Sequence, residues 1–361
     1  MLPTPNHHLK QLYRIREPVS QDRDALVLLD RNERLAPLPN QFVEHLKSLL
    51  TSEVFTCYPV QDDLLSRLSQ FLELSPSNLL LTAGSDAAIK ALYQAYVGEG
   101  DRVVMLSPSY AMYPVYAQMF QAEAVKVPFA PDLSLDSDQL LTSICSGVRL
   151  VMLANPNQPT GTLLPESLLR QILSRAAEVD ALVAIDEAYY PFSQTTVLSW
   201  LQDYPHLVMT RTFSKAAGLA GLRIGFVAGH PDIIGNLYKV RSVHDVNSMA
   251  LLVAEQILDC SDAIEDYVVE VELGKALLAR RVQQLGLVPL PTHTNFMLIR
   301  VAQRCSPEQL VAVLRDRGYL VKGPFTESCL QDCIRVTLGP PAVMSAFADV
   351  LAQALTTLPN L

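Results

Sequence analysis

No stretch of the 361 residues is apolar for long enough to cross a bilayer, and the start, MLPTPNHHLKQLYRIREPV, lacks the apolar core of a secretory signal. Basic clusters are also missing. The chain has 28 Lys and Arg against 37 Asp and Glu, a formal net charge of −9, and no basic stripe interleaved with aromatics. Nucleic acid and anionic membrane surfaces are therefore poor partners. Cysteine is sparse, at positions 57, 145, 260, 305, 329 and 333. Only CLQDC brings two together, at a spacing that suits neither zinc nor thioredoxin-like chemistry. Such scattered thiols fit a reducing, cytoplasmic setting, and no metal site is expected. There is no internal repeat and no low-complexity segment. What is present is a 49% hydrophobic, 18% charged chain, long enough for two domains or one large α/β unit with a sizeable core.

From residue 79 onward, short apolar runs alternate with helical patterns. LLLT (79–82), RVVML (102–106), RLVMLA (149–154), ALVAID (181–186), HLVMT (206–210) and RIGFVAG (223–229) read as strands. SDAAIKALYQAYV, the stretch from Tyr113 to Phe120 and PESLLRQILSRAAEV, with Pro165 in its first turn, read as helices. Continuous apolar runs separated by helices predict a parallel sheet covered on both faces. After Asp245 the pattern shifts to the long helices VNSMALLVAEQILD and AIEDYVVEVELGKALLARRVQQLG. A strand NFMLIRV (295–301), a helix opened by Ser306, Pro307 and Gln309, a strand CIRVTLG (333–339) and a last helix follow. This order predicts a smaller α+β unit packed on the first.

In an open parallel sheet, ligands gather beyond the carboxyl ends of the strands. The informative polar groups fall there: TAGSD (82–86), SPSY (107–110), NPNQPTG (155–161), DEAY (186–189) and TRTFSK (210–215). Gly84, Ser85 and Asp86 stand where a strand turns into a helix, either as an ordinary cap or as an anion site suited to phosphate. Asp186 ends a buried strand, where a carboxylate costs several kcal/mol unless a cation meets it. A protonated pyridine nitrogen is one such partner, and loop amides are the alternative. Tyr189 lies within reach of a substituent on the same ring. Asn155 and Asn157 sit in a Pro-, Asn- and Gly-rich loop, as turn formers or as neutral donors to a phenolic oxygen. Lys215 is set among small residues with Arg211 and Arg223 on either side. A lysine so placed either is solvated or acts as an imine-forming nucleophile, with Thr212, Ser214 and the arginines directed at a phosphate.

The ordered set LLDRNERLAPLP, CYPV, GSDAAIKAL, SPSYAMYPV, NPNQPTG, IDEAYYPF, RTFSKAAGLAGLRIGF, HTNFMLIR and IRVTLG resembles the fold-type I pyridoxal-phosphate enzymes. Within them it is similar to the class I/II aminotransferases close to histidinol-phosphate aminotransferase. The resemblance implies an α/β fold: a large domain with a mostly parallel sheet covered by helices, plus a smaller α+β domain. Residues 1–40 would pack with the small domain, 41–250 form the large cofactor-binding domain and 251–361 the C-terminal small domain. It implies pyridoxal 5'-phosphate linked to Lys215, with Asp186 at the pyridinium nitrogen, Asn157 and Tyr189 at the ring oxygen and Tyr110 stacked on the ring. Gly84, Ser85, Asp86, Thr212, Ser214 and Arg223 would surround the phosphate. Tyr58 would reach it from the partner subunit of a homodimer. Arg335 would bind the substrate α-carboxylate, with Asn32 close to the substrate.

The chain departs from the family pattern in three places. GYLVKGPF puts Lys322, a point charge, where the family usually has an arginine for the substrate phosphate. Tyr13 sits outside the expected N-terminal tyrosine context, and GSDA replaces the common GSDE. The expected function is transfer of an amino group from an α-amino acid or amino phosphate to a keto acid. The alternatives are decarboxylation, elimination or cyclisation by the same cofactor, and a non-catalytic effector module.

Overall fold

The computed structural model describes residues 25–359 together with Asn6, His8 and Leu12. Tyr13 and the remainder of 1–24 lie outside the described residues.

Strand β1 (Val27–Leu29) is followed by seven strands that form one sheet: β2 (Leu79–Thr82), β3 (Arg102–Ser107), β4 (Glu123–Pro128), β5 (Val148–Ala154), β6 (Leu182–Asp186), β7 (Leu207–Thr212) and β8 (Gly225–Gly229). Their order is β2-β8-β7-β6-β5-β3-β4. Alternate side chains divide the interior into two cores, as the period of two in a strand requires. Val104, Val151, Val183 and Met209 enter the core under helices Asp62–Phe71, Glu166–Glu178 and Ser248–Leu258. Val103, Met152, Ala184 and Val208 enter the other, under helices Ser85–Tyr96, Met112–Met119 and Pro231–Val240.

Two features differ from the expected sheet. β8 runs antiparallel to both β2 and β7, so the sheet is mixed. Edge strand β4, EAVKVP, carries exposed and half-buried residues along most of its length, and this is why hydrophobicity alone did not reveal it. Because β8 is reversed, the carboxyl ends of β2 and β7 lie on the same edge as those of β3, β5 and β6. The predicted strand 223–229 also starts two residues late, with Arg223 in a left-handed turn at φ 55°. Pro165 caps its helix instead of lying in its first turn.

Four more strands follow: β9 (Val288–Pro289), β10 (Phe296–Arg300), β11 (Tyr319–Val321) and β12 (Cys333–Thr337). β12, β10 and β9 form an antiparallel sheet, and β1 pairs in parallel with β11. A backbone bridge from Lys322 to Arg335 joins the end of β11 to β12. Ile299, Val321, Ile334 and Leu29 share a core with helices Ser261–Gln284, Pro307–Asp316 and Pro341–Thr357. Ser306 Oγ caps the second of these helices through the Gln309 N–H. The expected division at 250/251 falls inside helix Ser248–Leu258, whose buried Ala250, Leu251, Val253, Ala254 and Ile257 all join the large core. Cys260 and Ile264 still pack against that core and Tyr267 belongs to the smaller one, so the packing changes over in the first turns of helix Ser261–Gln284.

Candidate active site

One residue organises the end of the sheet nearest the turn at Gly84 and Ser85. Gly225, the first residue of β8, is in register with Thr82 of β2 on one side and Thr212 of β7 on the other. A Cβ on Gly225 would meet the Arg211 carbonyl at 2.6 Å and the Ser85 nitrogen at 2.7 Å. Only glycine lets the two strand ends approach this closely. Gly84, at φ +81°, turns the chain out of β2 into helix Ser85–Tyr96. No side chain caps that helix; the Ala87 N–H turns back to the Gly84 carbonyl at 3.2 Å, and the Ser85 and Asp86 amides precede the first intrahelical bond. Thr212 Oγ1 donates to Ser214 Oγ at 2.9 Å, Arg223 Nη1 lies 3.4 Å from Ser214 Oγ, and a Cβ on Gly84 would touch Arg223 Nη2 at 2.8 Å. Helix N-terminus, hydroxyls and guanidinium thus converge on one small region, an arrangement suited to an anion.

The two flanking arginines have different fates. Arg223 joins this cluster. Arg211 does not: its Nε and Nη2 donate to buried Glu187 at 3.0 and 2.9 Å, and its guanidinium lies 3.6 Å from the centre of the Tyr190 ring. The expectation that both arginines face the phosphate is corrected, because alternation along β7 turns consecutive side chains to opposite faces. Asp86 also contributes differently from expectation. Its carboxylate accepts the hydroxyls of Tyr110 at 3.1 Å and Tyr116 at 2.9 Å, so it offers an anion only its backbone N–H.

Asp186 accepts the Tyr113 hydroxyl at 2.9 Å and the Thr210 hydroxyl at 3.0 Å. Burial pushes its carboxyl above the ordinary range, and the two hydroxyl donors oppose that rise. Among the described residues, the ion pairs include Glu187 with Arg211 and none with Asp186. Tyr110 is half-buried and meets the Tyr113 ring edge-on at 5.5 Å.

Lys215 Nζ donates to the Arg31 carbonyl at 3.0 Å and lies 5.7 Å from the Tyr189 ring centroid. Burial, aided by Arg335, lowers its pKa from 10.5 to about 8. Tyr189 accepts the Asn32 amide N–H at 2.8 Å, which leaves its own hydroxyl hydrogen to donate; burial pushes its pKa up to about 12. Asn157 donates to the Pro108 carbonyl at 3.0 Å and to Thr160 Oγ1 at 2.8 Å, and accepts from Ser109 at 2.7 Å. Both its amide hydrogens are engaged, one within its own loop and one by the loop after β3, so a ligand oxygen must displace one of those acceptors. Asn155 serves the turn, accepting the Leu164 N–H at 2.8 Å.

Segment 30–35 crosses over this edge from the smaller sheet. Asn32, buried in a left-handed conformation at φ 58°, receives Asn295 Nδ2 at its carbonyl at 3.0 Å and donates its N–H to Thr337 Oγ1 at 3.0 Å. Arg335, also buried, donates to the Asp30 carbonyl at 2.8 Å. Lys322 and Arg335 exchange both backbone hydrogen bonds, at 3.0 and 2.8 Å, so their side chains rise from the same face of the small sheet. Tyr58 is remote from this cluster: it is 80% exposed and stacks on His244 at 4.6 Å.

The structure therefore gathers Gly84, Ser85, Asp86, Tyr110, Asn157, Asp186, Tyr189, Thr212, Ser214, Lys215, Arg223, Asn32 and Arg335 around one sheet edge. Tyr113, Thr210, Ser109 and Asn295 join them without having been anticipated. All four lie in stretches quoted above (SPSY, SPSYAMYPV, TRTFSK and HTNFMLIR), but only the fold shows which atoms they meet.

Residues 25–351 match the aminotransferase class I and II family. Histidinol-phosphate aminotransferase of Symbiobacterium thermophilum is 36% identical over 91% of this chain and 91% of its own length. Histidinol-phosphate aminotransferase 1 of Carboxydothermus hydrogenoformans is 33% identical over 87% of this chain and 89% of its own. Among solved structures, the Sinorhizobium meliloti histidinol-phosphate aminotransferase in complex with pyridoxal-5'-phosphate superposes with a TM-score of 0.87 at 23% identity, covering 99% of both chains. Thermus thermophilus aspartate aminotransferase with maleate gives 0.82 at 19% identity, covering 98% of this chain and all of its own. A lysine, a buried carboxylate and an anion cradle on one edge of a seven-stranded sheet, together with a match over nearly the whole length, place this chain in aminotransferase class I and II.

Proposed function

We propose that this protein is a pyridoxal 5'-phosphate-dependent aminotransferase, moving an amino group from an α-amino acid or amino phosphate to a 2-oxo acid. The observation that carries this reading is the pairing, on one edge, of a lysine of lowered pKa with a buried carboxylate that meets two neutral hydroxyls and forms no ion pair among the described residues. The residues fit the cofactor. The turn at Gly84 and Ser85, with Thr212, Ser214 and Arg223, would hold its phosphate. Asp186 would supply the counter-charge for a protonated ring nitrogen, which also accounts for leaving a carboxylate buried among neutral donors. Tyr189 and Asn157 would meet the ring oxygen, and Tyr110, held by Asp86, would cover one ring face.

When bound, the cofactor supplies an electron sink that stabilises negative charge at the substrate carbon. The chain's own part is proton handling and positioning. Lys215 Nζ would be the amine that holds the cofactor's aldehyde and, when free, the group that takes and returns the proton at the substrate carbon; a pKa near 8 suits both directions. Asp186 would supply the negative charge that favours a protonated ring nitrogen. Arg335 would bind the substrate α-carboxylate as a fork, with Asn32 beside it, while Lys322, on the same face, would meet a second anionic group as a point charge. The relatives' names make histidinol phosphate the first donor to test.

The exposed Tyr58 lies near exposed Phe55, Val60 and Val243, which supports a homodimer in which Tyr58 reaches the partner's phosphate site. A cytoplasmic location belongs to the same reading, in line with six free cysteines; among the described residues, no helix is long and apolar enough to cross a membrane. No observation favours decarboxylation, elimination or cyclisation, since Arg335 serves those reactions equally well.

The test is single-turnover chemistry: the cofactor-loaded protein is mixed with a panel of amino donors in the absence of acceptor, and products are read by mass spectrometry. One equivalent of 2-oxo acid per site, with no carbon dioxide, is expected. Release of carbon dioxide or water instead overturns the assignment. Lys215→Ala should lose covalent attachment and turnover while retaining some cofactor binding through the phosphate groups.

A further inference from the structure

Segment 31–36 and the lysine loop are joined by two hydrogen bonds of opposite direction. Lys215 Nζ donates to the Arg31 carbonyl at 3.0 Å, and Arg34 Nη1 donates back to the Ala216 carbonyl at 2.8 Å. Arg34 also donates through Nε to the Ala36 carbonyl at 3.2 Å and through Nη2 to the Ala263 carbonyl at 3.4 Å, and it stacks 4.0 Å from the centre of the Tyr267 ring. Tyr267 in turn accepts the Leu35 N–H at 3.0 Å. One guanidinium therefore ties the crossing segment, the lysine loop and the start of helix Ser261–Gln284 together. The loop is shaped around it: Gly218 has φ +77°, and a Cβ there would meet Arg34 Cδ at 2.6 Å. Three divergent carbonyls and an aromatic face suit a planar fork and do not suit an ammonium.

We propose that Arg34 is a positioning residue for Lys215, pinning the Ala216 carbonyl and the 31–35 backbone so that Nζ is held fixed beside the Arg31 carbonyl. Its importance for turnover rests on the reading of Lys215 given above; its effect on the amine does not. The charged groups facing Lys215 are Arg335 from the small sheet, Arg223 from the turn before β8, Glu33 from the crossing segment and Asp186 from the end of β6. The two arginines disfavour the ammonium and the two carboxylates favour it, but burial is the largest influence. Loosening the segment removes an acceptor and admits more water. Because burial dominates, the net result is a more basic lysine.

The experiment uses the full-length chain without cofactor. Lys215 is labelled with a water-soluble acylating reagent across pH, and the extent is read by peptide mass spectrometry. The wild-type midpoint is expected near 8. Arg34→Met should move it up by about one unit, slowing labelling at the wild-type midpoint by about five-fold. Arg34→Lys, which keeps the charge but not the fork, should fall between the two. An unmoved midpoint in a folded Arg34→Met chain overturns the proposal. If that variant does not fold, Gly218→Ala, which forces Arg34 aside, carries the same test with the same two outcomes. A wild-type chain that releases no 2-oxo acid removes the functional reading and leaves this titration standing. A normal midpoint in Arg34→Met, in a chain whose wild type does release it, removes only the role of Arg34.

Discussion

Asp186 and Glu187 follow one another at the end of β6, at 5% and 2% exposure, yet they meet opposite kinds of partner. Glu187 is closed on itself: Arg211 reaches it through two nitrogens, Thr196 Oγ1 donates at 2.8 Å and the Val197 N–H at 2.6 Å. Asp186 receives two neutral hydroxyls, and its charge acts on Lys215. Burial raises the pKa of both carboxyls, but a guanidinium opposes it only at Glu187. A buried charge whose counter-ion comes from its own chain is architecture. One supplied only with neutral donors is what the function proposed above uses, as the counter-charge for a protonated cofactor ring.

That contrast can be broken most directly at Asp186. Asp186→Asn should cut 2-oxo acid release by roughly 10²–10³-fold, the scale of a lost preorganised electrostatic contact, and leave the thermal stability of the unliganded chain almost unchanged. Equal turnover by this variant would reduce the carboxylate to a cap. Glu187→Gln should do the reverse. It leaves the Arg211 guanidinium buried without its charge partner, which costs about 3–5 kcal/mol in urea unfolding, while turnover per folded molecule changes only a few-fold. A Glu187→Gln chain of normal stability and no activity would mean that the two carboxylates had been assigned the wrong way round.

Tyr113→Phe sharpens the comparison at smaller amplitude. It removes one of the two hydroxyl donors to Asp186, so turnover should fall by roughly 10–10²-fold, the scale of about 1.5–3 kcal/mol for a hydrogen bond to a charged group. The smallest effect is a pH dependence of unliganded stability, read as melting temperature. The raised pKa of Asp186 means that the folded state keeps its proton after the unfolded state has lost its own. Stability from this group is therefore present at acid pH and declines as pH rises through the window above 3.8, a decline that Asp186→Asn should lack. Lys215 acts with the opposite sign. Between about 8 and 10.5 the unfolded chain binds more protons than the folded one, so stability rises with pH there, and Lys215→Ala should flatten that limb.

Legibility in the sequence followed how local each physical cause was. Buried strands such as LVMLA and LVAID are uniformly apolar and announce themselves, as does the Ser306 cap. β4 was hidden because an edge strand with polar residues along it gives no periodic signal. The site residues that stand at strand ends were readable, since a carboxylate or lysine closing an apolar run is locally anomalous. Arg211 was misjudged for the same reason: sequence proximity to Lys215 suggested a shared anion, whereas alternation along β7 sent it to Glu187. Arg34 could not be assigned at all, because its three acceptors belong to segments up to 229 residues away.

By itself, the sequence determined the composition of the two cores, the run of buried strands and the identity of the groups at their ends, because hydrophobic burial and capping act over a few neighbouring residues. The tertiary structure alone decided which of those groups met. Reversal of β8 set Gly225 between β2 and β7 and so brought the Gly84–Ser85 turn beside Thr212, Ser214 and Arg223. The passage of residues 30–35 across the sheet edge brought Asn32 to Tyr189 and the Arg31 carbonyl to Lys215. Those contacts depend on chain pairing over long separations, where the closing entropy is met by the whole fold and leaves no mark on any single stretch of residues.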